Sequence, residues 1–243
     1  QSRGLGDVYK RQGQSNFDEI SYEYYRDRDV ATEAFKSGAF DLRAENQSKR
    51  WATAYDFPAL KEGKVKKILI PHERPTGMQG FVFNTRKNFF SDPKVRLAIN
   101  YAWDFEWTNK TLMYNAYKRT NSYFSNSELS SSGTLPEGEE LKILQKFKRQ
   151  VPKQVFDEVY KAPQTDGSGN NRKNLRLALK LLREAGWAVK DGKLVNRNGI
   201  PLKFELLIAY PSIERLALPL KQSLKRLGIE MSIRTVDVAQ YQQ

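Results

Sequence analysis

The feature that most constrains the fold is a strand, helix, glycine, strand pattern near the end of the sequence. Residues 202–208 alternate apolar and polar, residues 213–227 have helical periodicity with Pro219 predicted to bend the helix, and Gly228 ends it. Residues 229–235 then alternate again. Two strands joined through a helix lie parallel, and such a crossover is right-handed. The sequence therefore predicts a βαβ unit within an α/β fold.

Two further stretches carry strong local signals. Residues 171–185 have an apolar face of helical spacing, and Gly186 follows as a stop. Asp191–Gly192 predicts a tight hairpin turn between two short strands. A helix is also expected from Leu135, with acidic residues in its first turn.

The spacing of apolar residues changes from the period of a strand to that of a helix within residues 76–107, TGMQGFVFNTRKNFFSDPKVRLAINYAWDFEW. Residues 81–83 predict a short apolar strand. At Asp92 the period becomes helical, because Asp92 can cap a helix and Pro93 suits its first position. Asp104 offers a second cap. Upstream, strands are predicted at residues 17–25, 41–43 and 68–70, with a helix at 30–35 ended by Gly38.

The segment GFVFNTRKNFFSDPKVRLAINYAWD resembles the lobe-crossing stretch of extracellular solute-binding proteins of family 5, the oligopeptide- and dipeptide-binding type. The run RPTGMQGFVFNTR, followed by DFEWTNKTL, is similar to the YejA-like subfamily. The resemblance extends from about residue 17 to residue 243. It implies a fragment of a two-lobe periplasmic-binding-protein fold of type 2, the peptide-binding class.

The resemblance also implies a domain organisation. Residues 1–12, QSRGLGDVYKRQ, resemble a sequencing-adapter scar and are interpreted as a non-native leader. Residues 13–77 would form part of the first lobe. Residues 78–243 would form the second lobe, incomplete at its C-terminus, so that the chain is expected to be an internal fragment.

The ligand cleft implied by the resemblance involves three places in the chain. They are the loop before Trp51, the stretch around Gly80 and the loop of residues 121–133, and the candidate ligand-binding residues are Gln47, Trp51, Met78, Gln79, Gly80, Phe81, Phe83, Asn84, Tyr123 and Phe124. Two alternatives stay open: Phe81 and Phe83 could belong to a core strand, and Trp51 could be a half-buried anchor on a helix. Glycines at 77 and 80 would let the backbone approach a peptide and absorb hinge rotation.

The implied function is that of the periplasmic substrate-binding component of an ABC importer. Such a protein captures oligopeptides between two lobes and delivers them to a permease and ATPase complex at the inner membrane. The chain is expected to be a monomer without a cofactor. Its signal peptide would lie upstream of this fragment.

Charge and composition leave two other classes of function to weigh. The formal net charge of +13 would attract polyanions, but the basic residues are scattered and no nucleic-acid-binding motif accompanies them, so a nucleic-acid partner is not expected. There is no cysteine and only one histidine, His72, which argues against a zinc site. A calcium loop at 166–170 is rejected because Leu177 occupies the expected glutamate position.

No catalytic set emerges from the sequence. His72 has no serine nucleophile in a suitable context, and Asp104 and Glu106 are explained better by capping and a solvated helix face. The chain is therefore predicted not to be an enzyme. A basic nucleic-acid-binding protein and, less favoured, a hydrolase remain the alternatives.

Overall fold

The structure is a computed structural model that describes residues 13, 16–131 and 133–242. The chain divides into two compact units, residues 1–68 and residues 69–243. The predicted leader, residues 1–12, lies outside the described residues. The assignment of residues 13–77 and 78–243 to two lobes stays a prediction.

The described part of the first unit contains three helices: α1 (Arg28–Lys36), α2 (Ser48–Thr53) and α3 (Pro58–Lys61). Helix α1 begins where the Asp27 carboxylate accepts hydrogen bonds from the backbone N–H groups of Asp29 and Val30. Gly38 follows the helix with φ of +83°, so the predicted helix and its stop are confirmed. The ring of Phe35 contacts three other aromatic rings at centroid distances of 5.5–6.4 Å, those of Phe40, Tyr55 and Phe57.

The predicted strands at residues 17–25, 41–43 and 68–70 are wrong. None of these stretches makes a backbone hydrogen bond within the described part of the chain. Large apolar side chains that a strand would bury against a neighbour are instead exposed, among them Tyr24 and Leu69. Alternation suits a strand, but a strand forms only where a second strand supplies the ladder hydrogen bonds.

The regular secondary structure of the second unit is mostly helical. Its helices are α4 (Asn88–Ser91), α5 (Pro93–Ala102), α6 (Phe105–Leu112), α7 (Gly138–Lys146), α8 (Gln154–Asp157), α9 (Arg172–Glu184), α10 (Pro211–Arg226) and α11 (Val238–Gln242). Both predicted caps are confirmed, since Asp92 accepts from the N–H of Lys94 and Asp104 from that of Trp107. Pro219 lies inside α10 as predicted.

The strands form two small sheets. Strands β1 (Ala188–Lys190) and β2 (Lys193–Val195) pair antiparallel around Asp191 and Gly192, which both have positive φ as a tight hairpin turn requires. Strands β3 (Lys203–Ile208) and β4 (Glu230–Thr235) pair parallel, with Lys203 opposite Glu230 and Ile208 opposite Thr235. The predicted βαβ unit is confirmed, while the handedness of its crossover stays a prediction.

The core of this unit lies where α5 packs on α9 and where α10 covers the β3–β4 sheet. Side chains of all these elements are buried, including Val95, Leu182, Ile208 and Leu224. Burying one such leucine contributes about 1.5–3 kcal/mol. The result is a rigid support for the irregular segments that follow α6 and precede α4.

Candidate ligand-binding site

Residues 77–83, called the ribbon below, carry half of the predicted ligand-binding residues. The predicted strand at residues 81–83 is wrong: the ribbon has no regular secondary structure. Within the described ranges, no ribbon residue makes a hydrogen bond through its backbone or side chain. The backbone N–H and C=O groups of the ribbon therefore have no hydrogen-bond partner in the part of the chain that the structure describes.

The side chains of the ribbon alternate although its backbone is unpaired. Phe81 and Phe83 are half-buried, with centroid distances of 5.3 Å to the Trp103 ring and 5.1 Å to the Phe90 ring. Val82, between them, is 95% exposed. The two phenylalanines thus pack on the core, as in their alternative interpretation, but not as part of a strand. A role for them in ligand binding stays a prediction.

The N-terminal end of the ribbon is exposed to solvent, including Met78, Gln79 and Gly80. A Cβ atom at Gly77 would meet nothing within 4 Å, and one at Gly80 only the Met78 methyl carbon, at 3.7 Å. Neither glycine has positive φ. The packing and backbone angles of the chain itself therefore do not require glycine at either position.

Asn84, immediately after the ribbon, is engaged locally. Its Oδ1 accepts hydrogen bonds from the backbone N–H and the Nε of Arg86, at 3.2 and 3.1 Å. This side chain holds the turn that leads into α4, so its amide oxygen is already occupied.

The loop of residues 121–131 and 133 lies beside the segment that leads into the ribbon. The backbone N–H of Thr76 donates to the Ser125 carbonyl at 3.0 Å. Ser122 is buried and its Oγ accepts from two backbone N–H groups of the loop. Tyr123 and Phe124 are exposed by 74% and 55%. The structure therefore brings the loop that carries these two exposed aromatic residues next to Thr76.

Gln47 and Trp51 lie in the other unit, 1–68. Gln47 donates its backbone N–H to the Glu45 carboxylate at 2.9 Å, and Arg43 and Arg50 both pair with that carboxylate. Trp51 is half-buried on α2, with the Lys67 Nζ 4.4 Å from its ring centroid. This packing matches the alternative in which Trp51 anchors a helix, and its part in a cleft stays a prediction.

Arg119 is a candidate that the sequence analysis missed. Its guanidinium lies over the rings of Trp103 and Phe105, at 5.0 and 5.2 Å, and its Nη2 donates to Asn100 Oδ1 at 2.5 Å. Burial lowers the pKa of Arg119 below its ordinary value. No local pattern marks this residue, because its partners lie on α5 and α6 and only the fold brings them together.

The segment before α9 is fastened to α6 by two acidic residues. Thr165 donates its hydroxyl to Asp104 Oδ1 at 2.5 Å and its backbone N–H to Glu106 Oε2 at 3.0 Å. The solvated-face interpretation of Glu106 is therefore wrong, because a chain segment distant in sequence covers this carboxylate. Capping by Asp104 is confirmed.

The described residues hold no group of three or more histidine, aspartate or glutamate side chains placed to bind a metal ion. Within the same ranges, every helix is too short or too polar to cross a bilayer. A surface hollow of about 400 Å³ lies between α7 and α8, and none of the predicted ligand-binding residues lines it.

Residues 6–243 match the family described as bacterial extracellular solute-binding proteins, family 5 Middle. The chain is 50% identical to protein y4wM of Sinorhizobium fredii, covering 94% of this chain and 35% of that protein. It is 48% identical to the "Probable peptide-binding protein YejA" of Agrobacterium fabrum, covering 97% of this chain and 39% of that protein. It is 40% identical to the "Peptidoglycan-binding protein YepA" of the same organism, covering 97% of this chain and 40% of that protein. The chain thus spans less than half the length of these curated relatives.

Solved structures show the same fold at low sequence identity. NikA from Brucella suis, solved with Fe(III)-EDTA, is 20% identical with a TM-score of 0.57, covering 89% of this chain and 37% of NikA. AppA from Bacillus subtilis, solved with a nonapeptide, is 19% identical with a TM-score of 0.53, covering 90% of this chain and 36% of AppA. The predicted α/β fold, part of a type 2 periplasmic-binding-protein architecture, is confirmed.

Proposed function

Because this chain belongs to family 5 of the bacterial extracellular solute-binding proteins, we propose that it captures oligopeptides, or peptide-containing compounds, in the periplasm. Members of this family bind solutes and are not enzymes. The captured ligand would pass to an ABC permease and ATPase complex at the inner membrane, with the binding protein acting as a monomer. Residues 13–77 and 78–243 would contribute to the two lobes that close on it.

The observation that carries this proposal is the unpaired ribbon. A peptide that lies along residues 77–83 can pair its own N–H and C=O groups with those of the ribbon, as an added strand does at a sheet edge. Gly80 leaves room for such a backbone, since only the flexible Met78 side chain lies near its missing Cβ. Names of relatives favour the same ligand class, since one is called peptide-binding and another peptidoglycan-binding.

The proposal is tested by calorimetry on the longest open reading frame that contains this sequence. The probes are unlabelled tetra-alanine and the same peptide with N-methylated amides. We expect the unmodified peptide to bind and the methylated one to bind at least tenfold more weakly, because methylation removes main-chain donors, each worth about 0.5–1.5 kcal/mol. Equal binding of both peptides would exclude main-chain pairing.

A ribbon variant and its control sharpen the test. Gly80→Val should weaken peptide binding without changing the unfolding midpoint, because the site of the added side chain is open to solvent. Ala188→Val, at an exposed position of β1, is the control for a general effect of an added valine side chain. A random oligonucleotide addresses the basic-protein alternative: tight binding that falls steeply with salt, together with no peptide binding, would replace the proposal.

A further inference from the structure

Two side-chain donors behind the ribbon are buried and have no acceptor in the part of the chain that the structure describes. They are the Nη1 of Arg119 and the Nε1 of Trp103. Buried N–H groups in native proteins are almost always hydrogen-bonded, so two such donors on residues in contact indicate an acceptor that the described chain does not supply.

These donors belong to side chains that contact the ribbon directly or through one aromatic ring. Phe81 of the ribbon contacts the Trp103 ring at 5.3 Å, and the Arg119 guanidinium lies over the same ring at 5.0 Å. The Trp103 ring therefore connects the Arg119 guanidinium to the segment along which the peptide is proposed to bind.

The charge of Arg119 is not balanced by a nearby carboxylate. Within the described ranges no aspartate or glutamate oxygen lies within 4.0 Å of the guanidinium. Glu106 acts on it only over a longer distance, and the Oε2 of Glu106 is already bound by Thr165. A half-buried guanidinium that makes a single neutral hydrogen bond, to Asn100, still lacks a counter-charge.

We propose that Arg119 and Trp103 form a subsite for a carboxylate group of the bound peptide, an inference that rests on the proposed function. A carboxylate carries the charge that Arg119 lacks, and its oxygens can accept from both Nη1 and the indole Nε1–H. The group is either the C-terminal carboxylate or an acidic side chain. Since both donor atoms are buried, the carboxylate reaches them when the ribbon shifts, and within the described ranges no hydrogen bond of the ribbon opposes that shift.

The test measures the affinity of matched ligands for the longest open reading frame that contains this sequence. One pair is tetra-alanine with a free or an amidated C-terminus; the other is Ala-Glu-Ala-Ala amide and Ala-Gln-Ala-Ala amide. Charge-assisted hydrogen bonds predict that the charged member of one pair binds about 10–100-fold more tightly than its neutral counterpart. The pair that shows this preference identifies the source of the carboxylate.

Variants then assign the preference to the two donors. Arg119→Gln should abolish the preference for the charged ligand while leaving the affinity for the neutral ligand within about twofold. Trp103→Phe keeps an aromatic ring but removes the N–H, and should reduce the preference several-fold. Arg176→Gln, on the exposed face of α9, is the control and should change neither affinity.

Three results would overturn the subsite. One is equal binding of charged and neutral ligands by the unaltered protein. Another is an Arg119→Gln variant that loses affinity for both ligands alike, which indicates a structural role. The third, decisive if Arg119→Gln fails to fold, is a Trp103→Phe variant with an unchanged preference. A protein that binds none of the four peptides refutes the proposed function itself, whereas one that binds them all equally refutes only the subsite.

Discussion

Two regions of the unit formed by residues 69–243 differ in how they are held together. The core module, residues 88–112 and 172–235, contains both sheets, four of the longer helices and the cluster of buried apolar side chains. The ribbon-and-loop region, residues 69–84 and 114–170, contains only the helices α7 and α8, and its ribbon makes no hydrogen bond within the described ranges.

The difference indicates that the two regions have different roles. The core module provides packing free energy and fixed positions, while the ribbon-and-loop region has open backbone groups and exposed aromatic side chains such as Tyr123. Binding elements are commonly drawn from the less stable parts of a fold and held in place by a rigid scaffold. Substitutions should therefore affect stability in the first region and ligand affinity in the second.

The largest effect on stability is expected in the middle of the core module. Leu182 is fully buried on α9, and Leu182→Ala should lower the free energy of unfolding by about 2–5 kcal/mol, measured by urea denaturation. Leu177, 40% exposed on the same helix, is the matched control, and Leu177→Ala should cost about 0.5 kcal/mol. Equal losses would contradict the described packing of α9.

A glycine contact between β4 and the hairpin should have the next largest effect. Gly228 has φ of +79°, and an added Cβ would lie 2.7 Å from the backbone nitrogen of Leu194. Gly228→Ala should destabilise by about 2–3 kcal/mol, because it combines backbone strain with a steric clash. Gly199→Ala has the same positive φ but free space, and should cost about 1 kcal/mol. A larger loss at Gly199 would refute the close approach.

A smaller effect is expected where the two regions meet. Thr165→Val removes the hydroxyl that donates to the buried Asp104 carboxylate, which should cost about 1–2 kcal/mol in chemical denaturation. Thr111→Val, exposed on α6, controls for the loss of a hydroxyl from a threonine. If both variants unfold at the same urea concentration, Thr165 does not fasten the loop.

At the exposed position 82 of the ribbon, the effect on stability should nearly vanish. Val82 is exposed, and Val82→Ala should leave the free energy of unfolding within about 0.5 kcal/mol of the unaltered protein. Val95→Ala, the same change at a fully buried position of α5, should cause a much larger loss. A substantial loss at Val82 would indicate that the ribbon is packed in solution.

The smallest effect concerns a single carboxylate in the loop before α9. Hydrogen bonds from the Ser168 hydroxyl and then from its backbone N–H lower the pKa of the exposed Asp166 from 3.8. Since the folded pKa is depressed, the stabilisation is present above about pH 3.8 and is lost as the pH falls through the lowered pKa. Ser168→Ala should raise the pKa of Asp166 in a carboxyl NMR titration, whereas Ser212→Ala should not.

The sequence analysis predicted the core module well because its signals are local. Asp92 and Pro93 mark the start of α5, Asp191 and Gly192 form the hairpin turn, and Gly228 separates α10 from β4. Each of these signals depends on residues within a few positions along the chain. The βαβ arrangement then follows from general rules of connection.

The predicted strands at 17–25, 41–43, 68–70 and 81–83 failed for the converse reason. Alternation states which side chains could share a face, but it does not name the strand that supplies the hydrogen bonds. Arg119 was missed because its position over Trp103 and Phe105 depends on contacts between separate segments. The ligand-binding roles of Gln79, Gly80 and their neighbours remain proposals that the binding experiments address.

By itself, the sequence determined the family, the α/β fold and the inward face of each main helix, because periodicity, caps and turn residues act over short stretches of chain. Only the tertiary structure decided that the ribbon is unpaired, that Thr165 covers Glu106, and that Arg119 and Trp103 each have a buried donor atom without an acceptor in the described chain. Pairing and burial arise from contacts between residues that are distant in sequence, and no local pattern encodes them.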